Sequence, residues 1–170
     1  KHLPGHGRAT CDSHLELPRV TAEAAELETT DWQAFKPLAD LPLGMTAHIV
    51  FTAIDPERPA TQSPAVIEQV IRGAIGFRGL LFSDDLSMEA LAGPIAERAT
   101  ASLAAGCDLA LHCNGKLAEM AGVLEAVPSL PETTAARLQA LTPRAPASAP
   151  PLGDLLAELD QVLGQRVAGA

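Results

Sequence analysis

The segment Gly79–Met88, GLLFSDDLSM, sets a short apolar run directly before Ser83, Asp84 and Asp85. A run this short, arriving from a glycine and bounded by polar residues, reads as a buried strand of a parallel sheet. Carboxylates at the C-terminal mouth of such a strand lie where α/β enzymes keep their chemistry. Helix capping competes for the same residues. Asp84, Asp85 or Ser87 can each accept from the first N–H groups of a following helix. One aspartate suffices for a cap, so the pair leaves one carboxylate over.

Two further strands flank this one in sequence. Met45–Phe51, MTAHIVF, carries β-branched and aromatic residues toward its end, and Asp108–Cys113, DLALHC, ends in His112, Cys113 and Asn114. Between them, Ser63-Pro64 pairs an N-cap serine with a proline at the first helical position. That helix is expected to run to about Ile71 and stop at Gly73. A helical stretch near 87–92 should follow the central strand, then a break at Gly93-Pro94. A helix to about Ala105 comes next, closed by Gly106, and another from Lys116 to about Val127. Upstream, residues 15–31 read as acidic and irregular, and Asp31 is placed to cap a short helix over Trp32–Leu38.

This alternation implies right-handed crossovers and a parallel sheet, either part of a doubly wound fold or part of a barrel. The order gives a body over 1–142, a Pro/Ala linker over 143–151 (PRAPASAPP), and a helix with tail over 152–170. Leu152, Leu155, Leu156, Leu159, Val162 and Leu163 form the stripe of that last helix, which is expected to dock on the body.

The 170 residues carry a formal net charge of −9 and no basic run, which argues against a nucleic-acid or anionic-membrane surface. No apolar stretch reaches the roughly 20 residues that span a bilayer. Cys11, Cys107 and Cys113 are an odd set without framework spacing and read as reduced thiols of a cytoplasmic protein. The chain opens at Lys1 in the middle of a motif, so a preceding N-terminal half is expected to be missing.

That motif is the loop KHLPGHGRATCDSH, residues 1–14, with three of the five histidines. Helix is excluded through Pro4-Gly5. The loop admits three readings. His6, Asp12 and His14 suit a three-ligand metal site. Gly5 and Gly7 leave backbone N–H groups free to cradle an anion. In Asp12-Ser13-His14 the carboxylate and imidazole, two apart, share one face of an extended segment, so Asp12 can fix the tautomer of an acid/base His14.

The two motifs together, KHLPGHG with DSH and then FSDDLSM, resemble the family-3 glycoside hydrolases. The likeness is to their bacterial β-N-acetylglucosaminidase branch, which trims cell-wall fragments in peptidoglycan recycling and so bears on cell shape. Met45–His48 and Gly106-Cys107-Asp108 fit the same branch, over about residues 1–125. The resemblance implies a (β/α)8 barrel of the TIM type, of which this chain is the C-terminal part. It implies Asp84 as catalytic nucleophile, His14 as general acid/base, Asp12 as its partner, and Lys1 and His2 as contacts to sugar hydroxyls. No role is implied for His6, and no cofactor or metal. The arginine and aspartate that the family places on earlier strands have no counterpart here.

The chemistry agrees: a retaining glycosidase needs one carboxylate to form a covalent intermediate and one group to protonate the leaving oxygen. The function so implied is exo-hydrolysis of terminal N-acetylglucosamine from muropeptides. Two alternatives stand beside it. One is phosphorolysis, because a histidine acid/base does not repel phosphate as a carboxylate does. The other is a catalytically silent sugar-binding fragment, since half a barrel exposes sheet edges.

Overall fold

The computed structural model describes residues 1–141 and 152–167, and in it the run after Gly79 becomes β4 (Leu80–Asp85). Gly79 starts this strand because a Cβ there would collide with the Leu41 carbonyl oxygen and the Phe77 ring. Three shorter strands had formed earlier in the chain: β1 (Arg19–Val20), β2 (Leu43–Met45) and β3 (Val50–Phe51). β5 (Leu109–Leu111) follows. Every pairing is parallel: β2 and β5 flank β4, β1 pairs with β3, and Leu3 bridges to Thr46 beyond β2. With helices between strands, this is the barrel-type α/β arrangement expected.

The expected strand Met45–Phe51 is two strands instead. Its chain changes partners as it advances. Thr46 N–H donates to the Phe82 carbonyl on β4, Ala47 N–H to Leu3, and Val50 N–H to Pro18. Each partner takes only a few ladder bonds, so no single strand persists.

After Ser63, whose hydroxyl accepts from Val66 N–H at 3.2 Å, the chain winds as a π-helix over Val66–Ala74. It ends one residue beyond the expected glycine, with Ile75 N–H bonded five residues back to Val70 O. Val66, Ile67, Val70 and Ile71 are its buried face, packed in one core with Ile49, Phe51 and Leu81. Each such burial contributes about 1.5–3 kcal/mol. At the helix end, Arg72 reaches the Gly79 carbonyl and the Asp108 carboxylate, both at 2.8 Å, and Asp108 also accepts Leu81 N–H. Asp108 therefore fastens the starts of β4 and β5 and belongs to the fold.

No helix forms over 87–92; residues 86–93 are tight turns. Arg98 takes the carbonyls of Leu86, Met88 and Gly93 at 2.8–3.0 Å, and Asp85 takes both N–H and hydroxyl of Ser87. Side chains thus occupy the backbone groups a helix would pair. The expected α2 (Ile95–Ala105) follows, ended by Gly106 at φ 114°, and α3 (Leu117–Ala126) comes after β5.

The acidic segment 15–31 is not irregular throughout, since it contains β1 and α1 (Ala24–Thr29). Trp32–Leu38 forms two 3₁₀ turns, and Asp31 caps neither; its carboxylate receives Arg8 and Thr30 at 2.8 Å. Two units divide the chain, Lys1–Arg137 and Leu138–Ala170. α4 (Glu132–Leu141) was not expected; α5 (Leu152–Val167) was. The expected linker, 143–151, lies outside the described residues.

Candidate active site

β4 and β5 lose register where the acidic pair begins. Phe82 faces Leu109 and Asp85 faces Leu111, so Ser83 and Asp84 together stand opposite Ala110. This is a β-bulge, a device that re-aims side chains beside functional sites. Ser83, fully buried, maintains the strand contact with its hydroxyl, which accepts Leu111 N–H at 2.9 Å. Asp84 is 9 % exposed, although the apolar run has ended. One of its oxygens, Oδ1, accepts the N–H of Asp85 at 2.9 Å. The other, Oδ2, faces His2 Nε2 at 3.5 Å.

Asp85 turns the opposite way. Its carboxylate accepts Ser87 N–H and Cys113 N–H, each at 3.0 Å, and Ser87 O–H at 2.5 Å. Burial pushes its acidity down, but these donors outweigh that and hold its carboxyl below the usual carboxylate range. It caps a turn, not a helix.

His2 stands between Asp84 and the glycine-rich loop. Its pKa lies below the ordinary imidazole value. Burial is the largest cause; Asp84 pushes upward, and the neighbouring Lys1 and His6 charges push down again. The His2 and His6 rings are 5.5 Å apart, centre to centre. His6 Nε2 is 3.1 Å from Ser13 Oγ, and Ser13 is buried between the two residues of the expected dyad. His6 thus anchors the segment that carries Asp12 and His14.

The dyad itself is formed. Asp12 Oδ1 accepts both the backbone N–H of His14 at 2.9 Å and the imidazole Nδ1–H at 2.8 Å. These bonds, the backbone one first, hold the Asp12 carboxyl below its usual value. With Nδ1 bound to Asp12, Nε2 is the ring nitrogen of His14 left to other partners. Both side chains face solvent, 59 % and 74 % exposed. From the loop, Asp84 is met by His2 rather than by His14.

Two further histidines stand beside the acidic pair. His48, between β2 and β3, is fully buried and 3.0 Å from the Asp85 carbonyl. His112, after β5, has a side chain 8 % exposed; neither ring nitrogen makes a hydrogen bond, and Nε2 lies 3.5 Å from Glu119 Oε2. Asn114, just beyond β5, donates its Nδ2–H to Glu119 Oε2 at 2.6 Å. Among the described residues no three His, Cys, Asp or Glu side chains gather as a metal would need, and His6, Asp12 and His14 are engaged as above. A cavity of about 560 Å³ lies elsewhere, lined by apolar residues of β5, α3 and the 128–131 segment.

Residues 1–144, which hold this parallel α/β fold, match the glycosyl hydrolase family 3 N terminal domain. The chain belongs to that family. It is 51 % identical over 118 residues to a beta-hexosaminidase of Alkalilimnicola ehrlichii, covering 67 % of this chain and 34 % of that one. With the beta-hexosaminidase of Tolumonas auensis the identity is 42 % over 146 residues, 83 % of this chain and 42 % of the relative. A solved NagZ from Neisseria gonorrhoeae, in complex with N-trifluoroacetyl-D-glucosamine, superposes with a TM-score of 0.70 at 39 % identity, over 82 % of this chain and 41 % of that one. The chain thus spans between a third and a half of the length of these relatives.

Proposed function

We propose that this chain supplies the nucleophile and the acid/base of a retaining exo-β-N-acetylglucosaminidase acting on cell-wall muropeptides. The observation that carries the reading is Asp84, buried at the β4 bulge with one oxygen fixed by Asp85 N–H and the other turned to His2. The beta-hexosaminidase relatives and the sugar-bound neighbour support it.

In this mechanism Asp84 Oδ2 attacks the anomeric carbon, and His14 Nε2–H protonates the departing glycosidic oxygen. A covalent glycosyl ester forms and the aglycone leaves. His14, now neutral, takes a proton from water. The hydroxide so generated attacks the anomeric carbon and releases Asp84 as carboxylate. Two inversions give net retention. Asp12 accepts the Nδ1–H of His14 throughout and stabilises the imidazolium. Lys1 and His2 donate to sugar hydroxyls. Every proton moves between side chain, sugar and water, so the cycle uses no cofactor. Its cytoplasmic setting fits the three unpaired thiols.

The test is trapping with a 5-fluoro N-acetylglucosaminyl fluoride in a form of the protein that turns over substrate, followed by peptide mapping. Label on Asp84 is expected. Label on Asp85, or on no residue of 83–88, overturns the assignment.

A further inference from the structure

The bulge that re-aims Asp84 also takes away the ladder bonds that would hold the backbone around it. Something else must fix that backbone. Ser83 does so on the β5 side, as described. On the β2 side the partner is His48, whose Nε2 lies 3.0 Å from the Asp85 carbonyl and whose Nδ1 lies 2.7 Å from Thr61 Oγ1. Thr61 Oγ1 is in turn 2.8 Å from Thr46 Oγ1 and 3.1 Å from the Ala47 carbonyl. His48, Thr46 and Thr61 are all fully buried.

The direction of this chain can be deduced. A carbonyl only accepts, so Nε2 of His48 carries the proton it gives to Asp85. Burial, the foremost influence on this ring, lowers its pKa and outweighs the nearby Asp84 and Asp85 charges, while Arg98 pushes the same way as burial. In the neutral ring, which burial favours, Nε2 carries the single proton and Nδ1 is an acceptor. Thr61 has one hydroxyl hydrogen and three acceptors in reach, His48 Nδ1, Thr46 Oγ1 and the Ala47 carbonyl; the nearest, Nδ1, would otherwise be buried without a donor. Thr46 then donates to Thr61. The hydrogens run one way, from Thr46 through Thr61 and His48 to the Asp85 carbonyl. The N–H of the same Asp85 holds Asp84 Oδ1 at 2.9 Å.

We propose that His48 is a positioning residue for the Asp84 nucleophile, giving its Nε2–H to the Asp85 carbonyl in a tautomer set by Thr61. This rests on the function proposed above. His48 touches no reacting atom. It fixes Asp85, whose N–H in turn orients one Asp84 oxygen and leaves the other free for attack. Misplacing a reacting group by about 1 Å costs roughly 10²-fold in rate, and a wrong imidazole tautomer can disable an otherwise intact site.

The experiment compares wild type with His48→Phe, His48→Gln and Thr61→Val in a turnover-competent form of the protein. Two readouts are taken: the rate of trapping at Asp84 by the 5-fluoro sugar, and the ring nitrogen NMR shifts of His48. In wild type the shifts should report Nε2–H and bare Nδ1. Thr61→Val, which keeps the volume, should mix the tautomers and slow trapping about 10-fold. His48→Phe should slow it about 10²-fold, with sugar affinity unchanged. The amide of His48→Gln should recover part of the rate. A merely structural role would lower the melting temperature without this split between trapping rate and affinity. Should His48→Phe not fold, Thr61→Val decides. Label on Asp84 at an unchanged rate in the variants, or an Nδ1–H tautomer in wild type, overturns this proposal alone. No label on Asp84 in wild type overturns the proposed function, and the positioning role with it.

Discussion

The end of β4 and the loop Lys1–His14 present the two kinds of group that glycoside cleavage needs, and they are held in opposite ways. Asp84 is nearly buried, and its surroundings are fixed by main-chain donors and by fully buried side chains such as His48 and Ser83. Asp12 and His14 bond to one another in the open, with only Ser13 beneath them buried and tied to His6. Water competes for the open bonds and scarcely at all for the buried ones. Asp84 is thus preorganised by the fold. Asp12 and His14 keep their own side chains in solvent, on a loop anchored to the fold by buried Ser13 and Leu3.

Substitutions can break this contrast, each assayed in a form of the protein that turns over substrate. Asp84→Ala removes the fixed partner and should cut turnover of every substrate by at least about 10⁴-fold, because no ester can form. His14→Ala removes the exposed one. It should cost about 10²–10⁴-fold with poor leaving groups, whereas a good leaving group should still give the first step. The ester should then accumulate and a burst should appear. Equal losses with both leaving groups would show that His14 is not the acid/base.

Asp12→Ala only releases the imidazole from its partner, so a loss of about 10-fold is expected, again confined to poor leaving groups. Ser13→Ala cuts the tie to His6 and should act in the same direction, but by only a few-fold, through loop placement. A Ser13→Ala loss that exceeds that of Asp12→Ala would mean that the loop is held far more tightly than its exposure suggests.

The smallest effect bears on stability. The Asp85 carboxyl is depressed in the folded state, so its stabilisation is fully present above the unfolded carboxylate value. It fades as pH falls through the depressed folded value. The melting difference between wild type and Asp85→Asn, about 1–2 kcal/mol, should be flat above about pH 4 and shrink below it. A difference that grows toward acid would refute the bonding described for Asp85.

The sequence speaks clearly where a physical signal is repeated. The apolar run of β4, the Ser63 cap, the Gly106 stop and the spacing of helix and strand were all legible, and they located the fold. β1 was not, because two residues cannot display alternation, and β2 and β3 were read as one strand. α1 and α4 each bury a single residue, Leu27 and Thr134, and so show no stripe. The turns at 86–93 were misread as helix because Arg98, which claims their carbonyls, lies beyond them in sequence. Within the candidate site, paired motifs pointed to Asp84, Asp12 and His14 by resemblance. Three features depend on long-range placement and left no local trace: the register loss opposite Ala110, the Ser13–His6 tie, and the direction of bonding through His48.

The register loss has a consequence for the acidic pair. Along a strand, side chains alternate strictly, so two adjacent aspartates cannot point the same way, and a shift of one residue exchanges them. The single extra residue opposite Ala110 therefore works as a parity bit. It decides which of two chemically identical side chains meets His2 and which is spent on Ser87 and Cys113. Deleting Ser83 would hand Asp85 the place of Asp84 and leave the turn without its acceptor, although every catalytic residue type would still be present.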